Sequence, residues 1–304
     1  MREKNLLEHW AEAKSIAKRN RERAGVPEFP TGIGFLDQCT GGYTPGEIWV
    51  IGARPGHGKT SLALQFARNF SDNVKHSVLF LSLEMRGWEL VMRMFCEMNN
   101  VDFTAFKNGH TDLDPTKDQI FNDYISKIEF EIVEKGYRWA EVENVLRVIY
   151  KTKKPDVILL DFMQLVDMGG GDGMNTAIME YVRSIKEFSK RTRIGFIIVS
   201  QLRRPPTGAD LNREPELWDL YGSGSLEQMA DKVILLSRYQ DDDETISHFL
   251  NLAKHRQGET IKKQVLFEGR YYRFSEIENN TEIKAIQDQF GGRVVAGAYK
   301  ERDE

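Results

Sequence analysis

The chain has 304 residues, 40% of them hydrophobic and 29% charged, enough to bury the core of one large domain with extensions or of two small ones. Its formal net charge of −4 excludes a globally basic surface, so any nucleic-acid contact must come from a local patch. Two distant cysteines, Cys39 and Cys96, lack zinc-ligand spacing and read as thiols of a reducing compartment, and no apolar run approaches membrane-spanning length.

Residues 1–24 read as one charged helix, with Leu6, Leu7, Trp10, Ala13 and Ile16 at helical spacing and Gly25, Pro27 and Pro30 ending it. Such a helix docks on its own core or on a neighbour, and the pattern leaves both open. The segment lacks the apolar centre of a signal peptide, which predicts a cytoplasmic protein without a membrane partner. The expected division is a linker or oligomerisation helix over 1–24, a large domain over 25–276 and a charged tail over 277–304.

Short apolar runs at Glu47–Ile51, Ser77–Leu83, Asp156–Leu160, Gly195–Val199, Lys232–Leu236 and Ser247–Leu252 predict strands. They are rich in Val, Ile, Leu and Phe with little alternation, as in parallel strands covered on both faces. Helical patterns fill the gaps, so the fold class is α/β, with a mostly parallel central sheet flanked by helices. Gly87–Lys153 is expected to be a mostly helical insertion between the second and third strands.

The segment Ala53-Arg54-Pro55-Gly56-His57-Gly58-Lys59-Thr60 follows the strand ending at Ile51 and opens a helix predicted over Ser61–Asn69. Strand, glycine loop and helix are the context of a phosphate-binding loop. Small residues let backbone N–H groups turn inward, and the helix terminus beginning with Ser61 adds its partial positive charge. Lys59 would reach the β- and γ-phosphates of ATP or another nucleoside triphosphate, and Thr60 would bind Mg²⁺. Ala53 replaces the usual first glycine, which is tolerable if its φ is negative.

Asp161 ends the third strand, where an acidic residue can complete a Mg²⁺ shell. Glu84 follows the second strand and could orient and deprotonate an attacking water. Gln201 ends the fourth strand and could contact a γ-phosphate; capping roles remain open for both. Lys254 and Arg256 follow the last strand and form either a phosphate clamp or an exposed basic turn.

The segments ARPGHGKT, LFLSLEM, ELVMRM, DVILLDFMQL, IIVSQL, GSGSLEQMADKVILLSR, LAKHRQG and FEGRYYRF stand in order over roughly residues 31–275. Together they resemble the DnaB-type replicative DNA helicases. The resemblance implies a RecA-like P-loop ATPase, usually a hexameric ring around single-stranded DNA, with ATP at subunit interfaces and primase or a helicase loader as further partners. It assigns Lys59 and Thr60 to the Walker-A pair, Glu84 to the catalytic glutamate, Asp161 to the Walker-B aspartate and Gln201 to the γ-phosphate sensor. Lys254 and Arg256 match the pair that reaches a neighbouring subunit's ATP, and Arg238 and Phe267 fall where the family flanks the base. Two loops would face the channel: the glycine-rich Val166–Asn175, and Arg203–Ser225 with Arg203, Arg204, Arg213 and the turn Gly222-Ser223-Gly224-Ser225.

Tyr221 and Gly222 stand where family members often carry a basic residue, so Tyr221 could stack on a base instead. The family's large N-terminal helical domain has no counterpart, which predicts either a compact helicase of a kind a phage could encode or a domain supplied by another chain. The competing function is a RecA-like recombinase or regulatory ATPase that binds DNA without unwinding it.

Overall fold

The computed structural model describes residues 5–23, 25–72, 76–134, 139–161, 174–203, 213–220, 223–240 and 246–277. Its first element, α1 (Leu6–Glu22), opens with a reciprocal capping box: Glu8 N donates to Asn5 Oδ1 at 3.0 Å and Asn5 N to Glu8 Oε2 at 2.9 Å. Its apolar stripe is not covered by the described residues of the protomer: Leu6 is 87% and Trp10 61% exposed. An ion pair of 2.9 Å joins Glu12 to Arg193 of the body.

The body follows in chain order: α2 (Gly34–Thr40), β1 (Ile48–Ala53), α3 (Lys59–Ser71), β2 (Ser77–Ser82), α4 (Gly87–Asn99), α5 (Phe103–Lys107) and α6 (Pro115–Ile125). Next come β3 (Glu129–Glu134), α7 (Trp139–Thr152), β4 (Val157–Asp161), α8 (Met174–Thr192), β5 (Gly195–Gln201) and a 3₁₀ turn over Leu217–Asp219. The described part closes with α9 (Ser223–Met229), β6 (Lys232–Gln240), β7 (Ile246–His255), β8 (Ile261–Glu268) and β9 (Arg273–Glu276).

Among the described residues the strands form one nine-stranded sheet in the order β3-β2-β4-β5-β1-β6-β7-β8-β9. Pairing from β3 to β6 is parallel, and the last three pairs are antiparallel. β1, β4 and most of β5 and β6 are buried on both faces, which explains their unbroken apolar sequences. β1 divides its side chains between two cores. Trp49, Ile51 and Ala53 join the cluster of α3 and α4, while Ile48 and Val50 join that of α7 and α8.

All six predicted strands are present. The segment Gly87–Lys153 departs from expectation, because it contains β3, which pairs in parallel with β2 along Ser77↔Glu129 to Ser82↔Glu134. β3 reads EFEIVE and lies at the sheet edge, where half-exposed positions accept glutamates and hide the strand pattern. β8 and β9 are further strands beyond the expected set. β7 also runs longer than predicted, so that Lys254 and His255 belong to the strand itself.

Candidate nucleotide site

Four adjacent parallel strands, β2, β4, β5 and β1, end at the same edge of the sheet, and the predicted phosphate chemistry collects there. The register sets Ser82 beside Asp161 and Ala53 beside Gln201. Leu83 N donates to Asp161 O at 2.7 Å, and Leu202 N to Ala53 O at 3.0 Å. Ala53 is fully buried in β1 and is not among the positive-φ residues. The left-handed turns fall instead on Gly56 (φ 77°) and Gly58 (φ 90°), where a side chain would be strained. Gly58 caps α3, so Lys59, Thr60 and Ser61 form the first turn of a 13-residue helix whose positive end faces the loop.

Lys59 Nζ lies 3.4 Å from Glu84 Oε2. Asp161 is fully buried, and neither of its carboxylate oxygens meets a hydrogen-bond partner of good geometry. Burial pushes its pKa up to about 6; the Lys59 charge and the neighbouring Thr60 hydroxyl pull the other way. A carboxylate buried with compensation this incomplete is costly to the fold and suited to a cation.

The base of the loop rests on the antiparallel end of the sheet. A Cβ at Gly58 would lie 2.8 Å from Phe274 Cζ and 3.3 Å from Phe267 Cζ, and these rings stack at 4.3 Å. Gln65 of α3 grips the backbone of Phe274 with two hydrogen bonds of 2.8 Å. The β8–β9 hairpin thus underpins the helix that carries Lys59 and brings Phe267 beside the loop. Arg238 of β6 lies opposite His248 of β7. Burial lowers the pKa values of His57 and His248 to about 4 each, aided by the charge of Arg238 on both, so both rings are neutral near pH 7.

Three further residues of this edge had no sequence assignment. Arg93 of α4 stacks over Tyr272 at 4.1 Å, and its charge also lowers the Asp161 pKa. It lies in the segment ELVMRM, but nothing in that sequence signals its proximity to Asp161. Gln65 and His248 reach the site through contacts distant in sequence, without a local signal.

Lys254 and Arg256 are not at this edge. Ala53 is level with Leu236, Leu236 pairs with Leu250, and Lys232 pairs with His255 at the opposite end. Across the bulge that follows Leu252, Arg256 comes level with Asp231, five positions from Leu236 and about 17 Å along the strand direction. There Arg256 Nη1 donates to Asp231 Oδ1 at 2.9 Å and Nη2 to Gln228 O at 3.1 Å, while Lys254 Nζ donates to Glu227 O. Burial, with the Arg256 charge, lowers the Lys254 pKa.

Of the expected DNA contacts, Arg203 leaves β5 with its N–H donating to Asp219 O at 2.7 Å. Arg213 is half-buried, with its guanidinium bonded to the Asp219 carboxylate and to Glu214 O, and it braces the 3₁₀ turn. Ser223 and Gly224 open α9. Arg204, Tyr221, Gly222 and residues 166–173 of the glycine-rich loop lie outside the described residues.

A largely parallel sheet with a glycine loop at the end of β1 and Asp161 at the end of β4 defines a RecA-like P-loop domain. Residues 28–276 match the family model described as the DnaB-like helicase C terminal domain, and the chain belongs to that family. It is 32% identical over 257 residues to the replicative DNA helicase DnaB of Leifsonia xyli, covering 82% of this chain and 56% of the relative. It is 29% identical over 272 residues to the replicative DNA helicase DnaC of Bacillus subtilis, covering 87% and 60% respectively. The chain thus spans little more than half the length of these relatives. Among solved structures, an isolated ATPase domain superposes with a TM-score of 0.76 at 28% identity, over 88% of this chain and 98% of that domain. A DnaB-like replicative helicase, solved in a study of its interactions with primase, gives 0.73 at 26% identity, over 91% and 68%.

The buried charges make the site testable without nucleotide. Asp161→Asn should raise the thermal midpoint of the nucleotide-free protein by roughly 2–4 °C for each kcal/mol of relieved desolvation. A midpoint below that of wild type in a melting scan would show that Asp161 is already compensated. A second expectation concerns pH. Folding depresses the His248 pKa, so the unfolded chain takes up the proton first and stability is lost as pH falls from about 6.5 towards 4. Asp161, with its raised pKa, acts in the opposite sense over part of that range. His248→Phe should therefore flatten the acid-side fall of the midpoint relative to wild type, and parallel curves would refute the assignment.

Proposed function

We propose that this chain is the ATP-driven motor domain of a ring-forming replicative DNA helicase that translocates on single-stranded DNA and couples hydrolysis at subunit interfaces to duplex unwinding. One observation carries the reading: Lys59, Thr60, Glu84, Asp161 and Gln201 gather at one edge of the sheet, while Lys254 and Arg256 stand at the other. Within one protomer the cations stand too far from the loop to reach it, which supports a site completed by a second copy, as in a hexameric ring. The names of the relatives support the helicase reading.

In this reading Lys59, Arg54–Gly58 and the amino terminus of α3 bind the triphosphate, and Arg238 and Phe267 flank the base. Thr60 and Asp161 would hold Mg²⁺, a fit supported by the buried Asp161 carboxylate and its unsatisfied oxygens. When bound, the ion neutralises charge on the phosphate oxygens. Lys59, now paired with Glu84, would be drawn towards phosphate, releasing Glu84 to orient and deprotonate the attacking water. Gln201 would contact the γ-phosphate, and Arg256 and Lys254 of the next protomer would stabilise the charge that develops on it. Single-stranded DNA would meet Arg203 and the Gly/Ser turn at the start of α9. The exposed stripe of α1 would pack on a neighbouring copy, a primase or loader is the expected further partner, and the cytoplasm the expected compartment.

Lys59→Ala should abolish ATP turnover while leaving the fold intact, with a single cooperative melting transition, whereas Glu84→Gln should bind nucleotide and fail to turn it over. Near-normal hydrolysis by the first, or loss of nucleotide binding by the second, would overturn the roles. Strand separation on a forked duplex tests the function itself; DNA-stimulated hydrolysis without separation would favour a recombinase or regulatory ATPase. Deleting residues 1–24 should leave the thermal midpoint of the body within about 2–4 °C, equivalent to about 1 kcal/mol. The same deletion should lower the assembly mass by light scattering, and an unchanged mass would argue against docking of α1 on a neighbour.

A further inference from the structure

The edge of the sheet remote from the glycine loop carries a connected set of polar contacts centred on Asp231, the residue immediately before β6. Its Oδ2 accepts from Ile48 N at 2.9 Å and from Lys186 Nζ of α8 at 3.0 Å. Its Oδ1 accepts from Arg256 Nη1 at 2.9 Å. The backbone repeats both links: Asp231 N donates to Ile48 O at 2.7 Å, and Arg256 N donates to Asp231 O at 2.9 Å. Asp231 is therefore fixed to the first residue of the central strand β1 and fixes Arg256 in turn.

The last turn of α9 completes the mount. Gln228 O accepts from Arg256 Nη2, and Glu227 O accepts from Lys254 Nζ. Carbonyls at a helix carboxyl terminus carry partial negative charge and suit cations. Arg256 is nevertheless 48% exposed, so a guanidinium held on one side remains open to the outside on the other. A long side chain of this exposure would ordinarily sample many rotamers, and holding it in advance removes that ordering cost from the step that uses it. A guanidinium has five N–H donors, of which these contacts use two.

We propose that Asp231 is the positioning residue of Arg256, holding the guanidinium against the last turn of α9 in the orientation from which it reaches the nucleotide of an adjacent protomer. The inference rests on the proposed action of Arg256 across the subunit interface. Charge balance alone does not account for the arrangement, because Lys186 and Ile48 N already occupy Oδ2 and leave Oδ1 to Arg256.

A double-mutant cycle on steady-state Mg-ATP turnover tests it, using Asp231→Asn, Arg256→Ala and the double variant, each checked for assembly by light scattering. Asp231→Asn should lower kcat by about 10- to 100-fold, the range expected for a displaced group, with KM within about twofold. The double variant should be no slower than Arg256→Ala beyond about twofold, since independent effects add and shared ones do not. Asp231→Glu, which keeps the charge on a longer stem, should recover part of the loss; it replaces Asp231→Asn in the cycle if that variant fails to assemble. Should the Asp231 defect multiply with that of Arg256→Ala, Asp231 acts elsewhere, and the proposal falls while the role of Arg256 stands. Normal turnover by assembled Arg256→Ala would remove the interface role itself, and the positioning role with it.

Discussion

A strand buried on both faces can carry a charged or catalytic side chain only near its ends. Between them every side chain enters one of two apolar cores, where an unpaired charge is costly. β1 illustrates the constraint: Ile48 to Ala53 are all buried, and polar chemistry begins at Arg54 on one side and Glu47 on the other. The parallel register of β2, β4, β5 and β1 then brings four carboxyl ends together without any long-range design of the loops themselves. Glu84, Asp161, Gln201 and the glycine loop meet because their strands stop at the same level.

The same constraint generates the opposite edge. β7 runs antiparallel to β6, so its carboxyl end returns to the level at which β1 begins. Lys254 and Arg256 are carried there by strand direction alone. Glu47 at this edge binds Lys232 Nζ through both carboxylate oxygens, at 2.9 and 2.7 Å, and accepts from Trp49 Nε1 at 2.7 Å. The contrast between the edges is energetic. At the amino edge the charges of buried Lys232 and of half-buried Asp231 and Lys186 are paired. At the phosphate edge Asp161 is buried without a hydrogen bond of good geometry, and two histidines are held neutral beside Arg238. Unbalanced burial is costly to the fold and belongs where a ligand supplies the missing partner.

Legibility in the sequence follows from the same physics. The glycine loop could be read because backbone conformation dictates residue type locally: Gly56 and Gly58 occupy φ values that other residues avoid. The central strands could be read because burial on both faces writes an unbroken apolar run. β3 and β8 could not, since EFEIVE and IKKQVLFE mix charged residues into short apolar stretches at half-exposed positions and show no unbroken apolar run. The supports of the site were hidden for another reason. Gln65 meets Phe274 across 209 residues and Ile48 meets Asp231 across 183, and no local pattern encodes such a pairing. The resemblance implies that Lys254 and Arg256 act on another subunit. The register of β6 and β7 gives that proposal a physical basis, a separation along the strand that no side chain can span.

β1 links the two edges materially. Its last residue leads into the glycine loop, and its first is bonded, by backbone and side chain, to the residue that holds Arg256. The strand is paired on both sides over its length, by β5 and by β6, and cannot shift without breaking ladders on either side. A strand held in this way is a poor spring and a good rod. Displacement at one end therefore appears at the other as rotation or translation of the whole central sheet rather than as local strain. In an assembly where the loop of one copy faces the Arg256 of another, such a rod makes each protomer's two half-sites move as one body. Relative motion is then confined to the interfaces between copies, where loop and cation meet.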